Sequence, residues 1–428
     1  MYLCVRIGLL GLFFVMPISI QASDPITLEW VIGEVLHNNP RIVAAQTRWE
    51  AMQEEAPQAR SWDDPSFYTM FWAVPHDTPN PFSARETWFG IKQRFPYPGK
   101  LKLRGQVAQQ TATMAEHGYL IVQENLIQKV KVAYYDLFLI DREIEITQKH
   151  LEFMREFVQI AESRYATGAV SQGDVLKAQV EVFDLGNRVL VLAQRRQIGV
   201  AKLNTLMDRA PETELGSLAG FSIRPVGYSL EVLKQMAIEN RPELKAATLA
   251  IERNETAKAL AQKAYYPDFM VDFSYWNVRN NTNRWMLMVE AKVPIAFWSK
   301  GKHDARLRQV EMEKRVWQAD YEDIKNQVLY AVEEAFVNVQ VAWNNVDLYQ
   351  DVIIPQAQQT VETIKTNYET NRATFLNLVD SERTLLRFEL DYYKALVAFE
   401  KGQADLERAV GTALLVSGHE EGEKNDAK

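Results

Sequence analysis

The chain has 428 residues, a formal net charge of −8 and a single cysteine, Cys4. An acidic chain without a basic tract argues against nucleic acid as a partner, and a single thiol excludes a disulfide-stapled domain. Beyond the N-terminal segment no apolar run reaches about 18 residues, so the sequence predicts no transmembrane helix.

The N-terminal segment is typical of a secretory signal peptide over residues 1–22. Arg6 precedes an apolar run over residues 7–20, and the small residues Ala22 and Ser23 follow it. The alternative is an N-terminal membrane anchor, for which the run is short. Because Cys4 lies inside this segment, we expect an exported mature chain without thiols.

The rest of the chain contains two copies of one pattern. Pro40 matches Pro242 and Pro65 matches Pro267, both 202 positions apart, whereas Tyr165 and Tyr368 are 203 apart. We predict a first structural repeat over residues 23–207 and a second over 228–411. A Pro/Gly-rich linker over 208–227 joins them, and a disordered tail over 412–428 follows.

Each repeat begins with two amphipathic helical stretches and continues with a β-hairpin, at about 65–95 and about 267–295. The strands are about ten residues long, rich in aromatic residues and apolar on one face only. That length suits a tilted crossing of an outer membrane, with one face towards lipid and one towards water. A half-buried hairpin in a soluble domain is the alternative.

A long helical hairpin ends each repeat, at about 99–207 and about 301–411. The spacing of apolar residues in the first repeat alternates between four and three, which indicates a coiled coil. The seam consists of Leu126, Val130, Ala133, Leu137, Ile140, Ile144, Thr147, Leu151, Met154, Val158, Ala161 and Tyr165. In the second repeat the same seam slips by one residue beside Pro355, where we expect a local kink.

If the strands lie in a membrane, the chain must oligomerise. Four strands cannot close a barrel, and an open strand edge leaves backbone groups without hydrogen bonds in lipid. The number of subunits does not follow from this argument.

Several segments together resemble the TolC-like outer membrane efflux proteins over about residues 26–412. They include "NNPRIVAA", "FPYPGKLKLRGQ", "RYATGAVSQGDVLKAQ", "KAYYPDFMVDFSYW" and "NYETNRATFLNLVDSERTLL". The resemblance implies a mainly α-helical fold with membrane β-strands. In that fold, four strands per chain contribute to a 12-stranded barrel of a homotrimer, continuous with a long coiled-coil α-barrel.

The resemblance also implies a function and partners. It implies a passive outer-membrane conduit that receives substrates from a periplasmic adaptor and an inner-membrane pump. "FPYPGK" is similar to members linked to heavy-metal pumps of the resistance-nodulation-division type. A type I secretion channel and a soluble periplasmic coiled-coil adaptor are the alternatives. The six histidines show no ligand spacing and no nucleophile–base set appears, so we expect no enzyme, cofactor or resident metal.

In this family the turns of the two helical hairpins form the periplasmic entrance. The resemblance places a pore-gate carboxylate at Asp380, and Asn377 stands where the family has a second one. It places a latch between the two turns at Asp174 and Tyr368, with Arg372 beside the position of a basic latch residue. A solvated helix carboxylate is the alternative for Asp380, and helix capping is the alternative for Asp174.

The same turns are where the resemblance places contact with the periplasmic adaptor. The residues that we expect to make it are Gly168, Ala169, Val170, Ala373 and Thr374.

Overall fold

A computed structural model describes residues 25–77, 79–221, 223, 227–294, 297–370 and 372–414. The predicted signal peptide, residues 1–22, and most of the predicted tail, residues 415–428, lie outside these residues.

The same order of elements occurs twice along the chain. The first set is α1 Leu28–Asn38, α2 Pro40–Arg60, β1 Ser66–Trp72, β2 Glu86–Phe95, α3 Lys100–Ala166 and α4 Gln172–Leu206. The second set is α5 Leu230–Asn240, α6 Pro242–Lys263, β3 Asp268–Val278, β4 Arg284–Lys292, α7 Phe297–Leu348, α8 Ile354–Glu369 and α9 Phe375–Val410.

Capping residues and prolines lie at the starts of the short helices. Thr27 caps α1, since its hydroxyl accepts a hydrogen bond from the amide of Trp30. Pro40 and Pro242 occupy the first turns of α2 and α6, where a missing backbone N–H costs nothing. Asn39 ends α1 and caps α2, so a single residue sets the angle between these two helices.

The long helix α3 has 67 residues and is therefore about 100 Å long. It packs along both α4 and α9, while α9 also packs along α7 and α8. Eight seam positions are buried: Leu126, Val130, Ala133, Leu137, Thr147, Leu151, Met154 and Ala161. Ile140, Ile144 and Val158 are half-buried, and Tyr165, at the end of the helix, is 47% exposed.

The slip of the seam in the second repeat is accommodated by a π-helical turn, Tyr349–Ile353, between α7 and α8. A π-turn holds one residue more than an α-turn, so it inserts a residue while the helices on both sides keep their faces. Pro355 lies in the first turn of α8, directly after it. The one-residue difference between the two repeats is therefore located at this turn.

Within the described residues, four strands form one antiparallel sheet in the order β1-β2-β3-β4. Pairing between the repeats is continuous, with Lys92 opposite Asp272 and Trp88 opposite Trp276. Since side chains alternate along a strand, the sheet has two distinct faces. The apolar face is exposed and carries Phe67, Phe89, Phe273, Trp285, Leu287 and Val289.

The other surface of the sheet, which we term the polar face, carries Tyr68, Lys92 and Asp272. The Tyr68 hydroxyl donates to Asp272 Oδ1 at 3.0 Å, and Lys92 Nζ lies 3.5 Å from Asp272 Oδ2. To reach Asp272, the Tyr68 ring crosses over Gly90, where a Cβ would lie 2.3 Å from the ring. Glycine at position 90 is therefore required by this contact.

The predicted linker packs against the long helices rather than hanging free. Ile26 pairs with Leu218 in a short parallel bridge, and the Tyr134 hydroxyl donates to the carbonyl oxygen of Ile26 at 2.9 Å. Phe221 packs against the rings of Tyr135 and Phe138. The N-terminal segment and the linker thus contribute to one hydrophobic core.

The segment "FPYPGK" joins the sheet to α3 through Asp268. Lys100 Nζ and the Tyr97 amide both donate to Asp268 Oδ1, at 2.7 and 2.9 Å. Arg94 binds the other carboxylate oxygen at 2.9 Å, and the Tyr97 ring stacks on Tyr266. These contacts fix the start of the long helix against the start of β3.

Candidate functional site

The first hairpin turn, between α3 and α4, has a conformation that needs glycine. Gly168 has a φ of +75°, and the amides of Gly168 and Ala169 donate to carbonyl oxygens at the end of α3. Ser171 then begins α4 with a capping box, in which Ser171 and Asp174 bond to each other's backbone amides. Of the predicted adaptor-contacting residues, Gly168 and Ala169 are exposed. Val170 packs against a hydrophobic cluster that we term the tip core, which includes Phe157, Tyr368, Phe375 and Leu378.

The second hairpin turn, between α8 and α9, is built differently. The amides of Arg372 and Ala373 both donate to the Asn367 carbonyl oxygen, and the Thr374 hydroxyl caps α9 by accepting from the amide of Asn377. Arg372 and Thr374 are exposed, while Ala373 is half-buried against the tip core.

Tyr368 is the residue through which the two turns meet. Its side chain is only 2% exposed, and its ring lies between Phe157 and Phe375. The Arg164 guanidinium lies 4.5 Å from the ring centroid and donates to the Tyr368 carbonyl oxygen. Arg164 was not among the residues predicted for the latch, although it lies in the same turn.

The predicted partner Asp174 influences Tyr368 without bonding to it. Burial raises the pKa of the Tyr368 hydroxyl, and the charge of Asp174 raises it further while Arg164 lowers it. Within the described residues the Tyr368 hydroxyl has no hydrogen-bond partner. In this single chain Asp174 therefore acts as a helix cap, and Arg164 joins the turns.

The predicted gate positions, Asn377 and Asp380, lie one turn apart on α9 and are both exposed. Arg383 follows in the next turn and binds the buried Glu181 carboxylate of α4 with two nitrogens. Its pKa is raised, mainly by that bond, with a smaller contribution from Asp380. A fixed cation therefore lies beside the proposed gate carboxylate.

A buried ionic cluster that the sequence did not predict lies between α3 and α9. His150 is 2% exposed, its Nδ1 lies 2.6 Å from Glu382 Oε1, and its Nε2 lies 2.8 Å from Glu389 Oε2. Burial alone would lower the pKa of His150, but the contacts with both glutamates outweigh it and raise the pKa to about 9. Lys149 lies 3.6 Å from Glu389 on the outer side. At neutral pH the cluster is therefore an imidazolium held between two carboxylates.

Only one sequence signal pointed to this cluster: Glu382 and Glu389 are seven residues apart, on one face of α9. In the part of the chain that the structure describes, no group of three or more His, Cys, Asp or Glu side chains is placed to hold a metal ion. Across those same residues, no helix has the length and apolarity that crossing a membrane requires.

Comparison with known proteins gives the family. The profile described as "Outer membrane efflux protein" matches residues 31–208 and 233–412. The cobalt-zinc-cadmium resistance protein CzcC of Cupriavidus metallidurans is 21% identical over 396 residues, which are 91% of each chain. The outer membrane protein TolC of Vibrio cholerae is 20% identical over 319 residues, covering 71% of this chain and 72% of TolC.

Solved structures share the fold. The outer membrane protein VceC from Vibrio cholerae has a TM-score of 0.75 at 18% identity, covering 91% of this chain and 97% of VceC. CusC has a TM-score of 0.76 at 15% identity, covering 90% and 92%. The predicted fold class, the resemblance and the outer-membrane location are confirmed. The chain belongs to the outer membrane efflux protein family, whose members are channels of the outer membrane and not enzymes.

Proposed function

We propose that the chain is the outer-membrane subunit of a tripartite efflux pump. In this role it is a passive conduit from the periplasm to the exterior, and a periplasmic adaptor and an inner-membrane pump deliver its substrates. The observation that carries this proposal is that the two lateral edges of the chain are both incomplete, in the sheet and in the helices. Copies that join edge to edge would enclose a passage.

The helical edges carry apolar stripes that the chain itself does not cover. Helix packing follows the order α4, α3, α9 and then α7 with α8, so α4 and α7 are outermost. The exposed stripe on α4 consists of Leu176, Val180, Phe183 and Leu190. The exposed stripe on α7 consists of Tyr330, Val337, Val341 and Leu348.

Each residue of the α7 stripe lies two positions after a buried seam residue. These seam residues are Val328, Ala335, Val339 and Val346. Two positions along a helix correspond to about 200°, so the stripe lies opposite the seam. A helix that is apolar on two opposite sides needs two helical neighbours. We therefore pair α7 with α4 of the next copy.

The strand edges support the same arrangement. Among the described strands, β1 and β4 each have one open edge, and backbone groups in lipid must be hydrogen-bonded. Pairing β4 of one copy with β1 of the next satisfies these groups. We propose three copies, because barrels of this kind use at least about eight strands and the family resemblance implies 12.

We propose the hairpin turns as the periplasmic entrance. Asp380 would form a ring of three carboxylates, with Asn377 one turn away. Asp174, Tyr368 and Arg372 would form a latch, to which the contact of Arg164 with Tyr368 adds a further link. Gly168, Ala169, Val170, Ala373 and Thr374 would contact the adaptor, together with the exposed side chain of Leu376.

We further propose that the cargo is heavy-metal ions, which a resistance-nodulation-division pump delivers. The match to the cobalt-zinc-cadmium resistance protein over 91% of each chain supports it. A strain that lacks the gene should then become sensitive to cobalt, zinc or cadmium. Sensitivity to organic compounds alone would refute this cargo and leave the channel intact.

Reconstitution tests the channel itself. The purified full-length protein should have the mass of a trimer in detergent and should produce stable single-channel currents in planar lipid bilayers. Recovery of the protein only in the soluble periplasmic fraction would contradict the proposal and favour a coiled-coil adaptor.

A further inference from the structure

The polar face of the sheet changes character along the strands. Near the helices it is charged, and its side chains there include Lys92, Arg94, Asp268, Asp272 and Glu290. Towards the hairpin turns, Glu86 and Arg284 flank a group of aromatic and thioether side chains on the same face. The members of this group are Met70, Trp72, Trp88, Trp276 and Met286.

Three of these side chains form a stacked row, which we term the tryptophan row: Trp72, Trp88 and Trp276. The rings of Trp88 and Trp276 are 4.1 Å apart and nearly parallel, at 5°. Trp72 stacks on Trp88 at 6.2 Å and 21°. The indole N–H of Trp88 donates to Glu86, and that of Trp276 donates to Ser274, so both ring planes are held in place.

Lipid does not explain the tryptophan row. Aromatic girdles of membrane barrels face outwards, and here Tyr275 and Trp285 occupy the outward, apolar face at the same level. The tryptophan row shares its face with the charged group around Asp272, which belongs in water. Trp72, on the edge strand β1, is 57% exposed in the single chain.

A contiguous exposed apolar patch, here on a face lined with charged groups, is a candidate binding site. Flat aromatic molecules stack on indole rings, and methionine sulfur adds favourable contact with aromatic edges. Met70 lies directly opposite Trp88 in the strand pairing, so both kinds of contact are available together. Cross-strand aromatic pairs also stabilise a sheet, and the experiment below separates that role from binding.

We infer that the tryptophan row, with Met70, is a stacking site for planar aromatic organic molecules on their way out of the cell. The inference rests on the proposed channel function, which makes the polar face the wall of the passage. The site lies at the strand ends farthest from the long helices, and therefore at the exit. It extends the cargo beyond metal ions, which gain no stacking contact there.

Single-channel recording of the assembled full-length protein tests this inference. Ethidium, a planar aromatic cation, should cause brief current blocks, whereas tetraethylammonium of equal charge should not. Trp88→Leu should shorten the ethidium blocks about three- to tenfold, which is the range expected for one lost aromatic contact. Trp88→Phe should restore part of the block duration, since an aromatic ring remains.

Trp285→Leu is the matched control, because Trp285 lies at the same level on the apolar face. It should leave the ethidium blocks unchanged. If Trp88→Leu fails to assemble, the exposed Trp72 at the sheet edge provides a second variant, Trp72→Leu. Equal blocking by both cations, or unchanged blocks in the leucine variants, would overturn the stacking site. Absence of any current from the unmodified protein would instead overturn the proposed channel.

Discussion

At the scale of single residues, the buried His150 is held by opposing electrostatic effects. Removing an imidazolium from water is costly, yet both ring nitrogens face carboxylates, from Glu382 and Glu389. Losing the proton would leave two buried carboxylates without their shared partner. The proton on His150 therefore stabilises the contact between α3 and α9.

The pH dependence of this contribution has a definite sign. The pKa of His150 is about 9 in the folded chain and 6.5 for a free histidine. The stabilisation is therefore complete below about pH 6.5 and is lost as the pH rises through 9. We expect His150→Gln to lower the free energy of unfolding by roughly 2–3 kcal/mol per chain at pH 7. This difference from the unmodified protein should disappear above pH 9.

Thermal unfolding followed by circular dichroism between pH 6 and 10 measures this effect. His37→Gln is the control, because His37 is exposed at the end of α1. A difference between His150→Gln and the unmodified protein that stays the same from pH 7 to pH 10 would contradict the assignment.

In the proposed trimer, the three copies of the Asp380 carboxylate would set the charge of the entrance. Removing these charges by Asp380→Asn should lower the preference for cations over anions by roughly two- to threefold. Reversal potentials in a salt gradient measure this preference. Asp320→Asn, on the exposed surface of α7, should change nothing, and an equal effect of both variants would refute the gate assignment.

For the latch, the contacts of Tyr368 indicate which substitution matters. Asp174→Ala with Tyr368→Phe should raise single-channel conductance if these residues hold the entrance closed. Arg164→Ala should do so as well, because Arg164 contacts both the ring and the backbone of Tyr368. Conductance that stays unchanged in both variants would exclude the latch.

At the scale of secondary-structure elements, the π-turn Tyr349–Ile353 explains how the two repeats stay equivalent despite unequal length. One extra residue in a continuous α-helix would rotate everything beyond it by about 100° and turn the seam away from its partner. A π-turn absorbs that residue locally. Tyr368 lies 203 positions after Tyr165, one more than the offset before the π-turn, and it is still on the buried side of its helix.

Deleting Val352 should accordingly be tolerated, because the π-turn can revert to an ordinary α-helix. We expect unchanged helix content and a trimer that still forms, measured by circular dichroism and mass in detergent. Deleting Ala398, which is exposed within the regular helix α9, should instead disrupt assembly because it shifts the register. Loss of the trimer in both deletions would argue against a locally absorbed insertion.

At the scale of the whole molecule, the exposed apolar stripes on α4 and α7 are the main expected source of free energy for assembly. Burying one Phe or Leu side chain contributes about 1.5–3 kcal/mol, and an edge contains several of them. Phe183→Asp on α4 should therefore prevent trimer formation, which light scattering of the purified protein detects. Arg195→Ser, also exposed on α4, should leave the trimer intact, and a trimeric Phe183→Asp variant would refute the proposed edge.

The sequence by itself determined the repeat, the long helices, the hairpins and the two faces of the strands. Those features follow from local periodicity, since the positions of apolar residues three or four apart, or two apart, depend on nearby residues alone. The conformation of the turn at Gly168 is local in the same sense, because only glycine adopts its φ readily.

Only the tertiary structure decided which side chains meet across distant elements. His150 and Glu389 are 239 positions apart, and Arg164 and Tyr368 are 204 apart. The tryptophan row likewise requires strand pairing between the two repeats. Such contacts depend on the register of one helix or strand against another, which is set by packing along the whole interface and leaves no local pattern in the sequence.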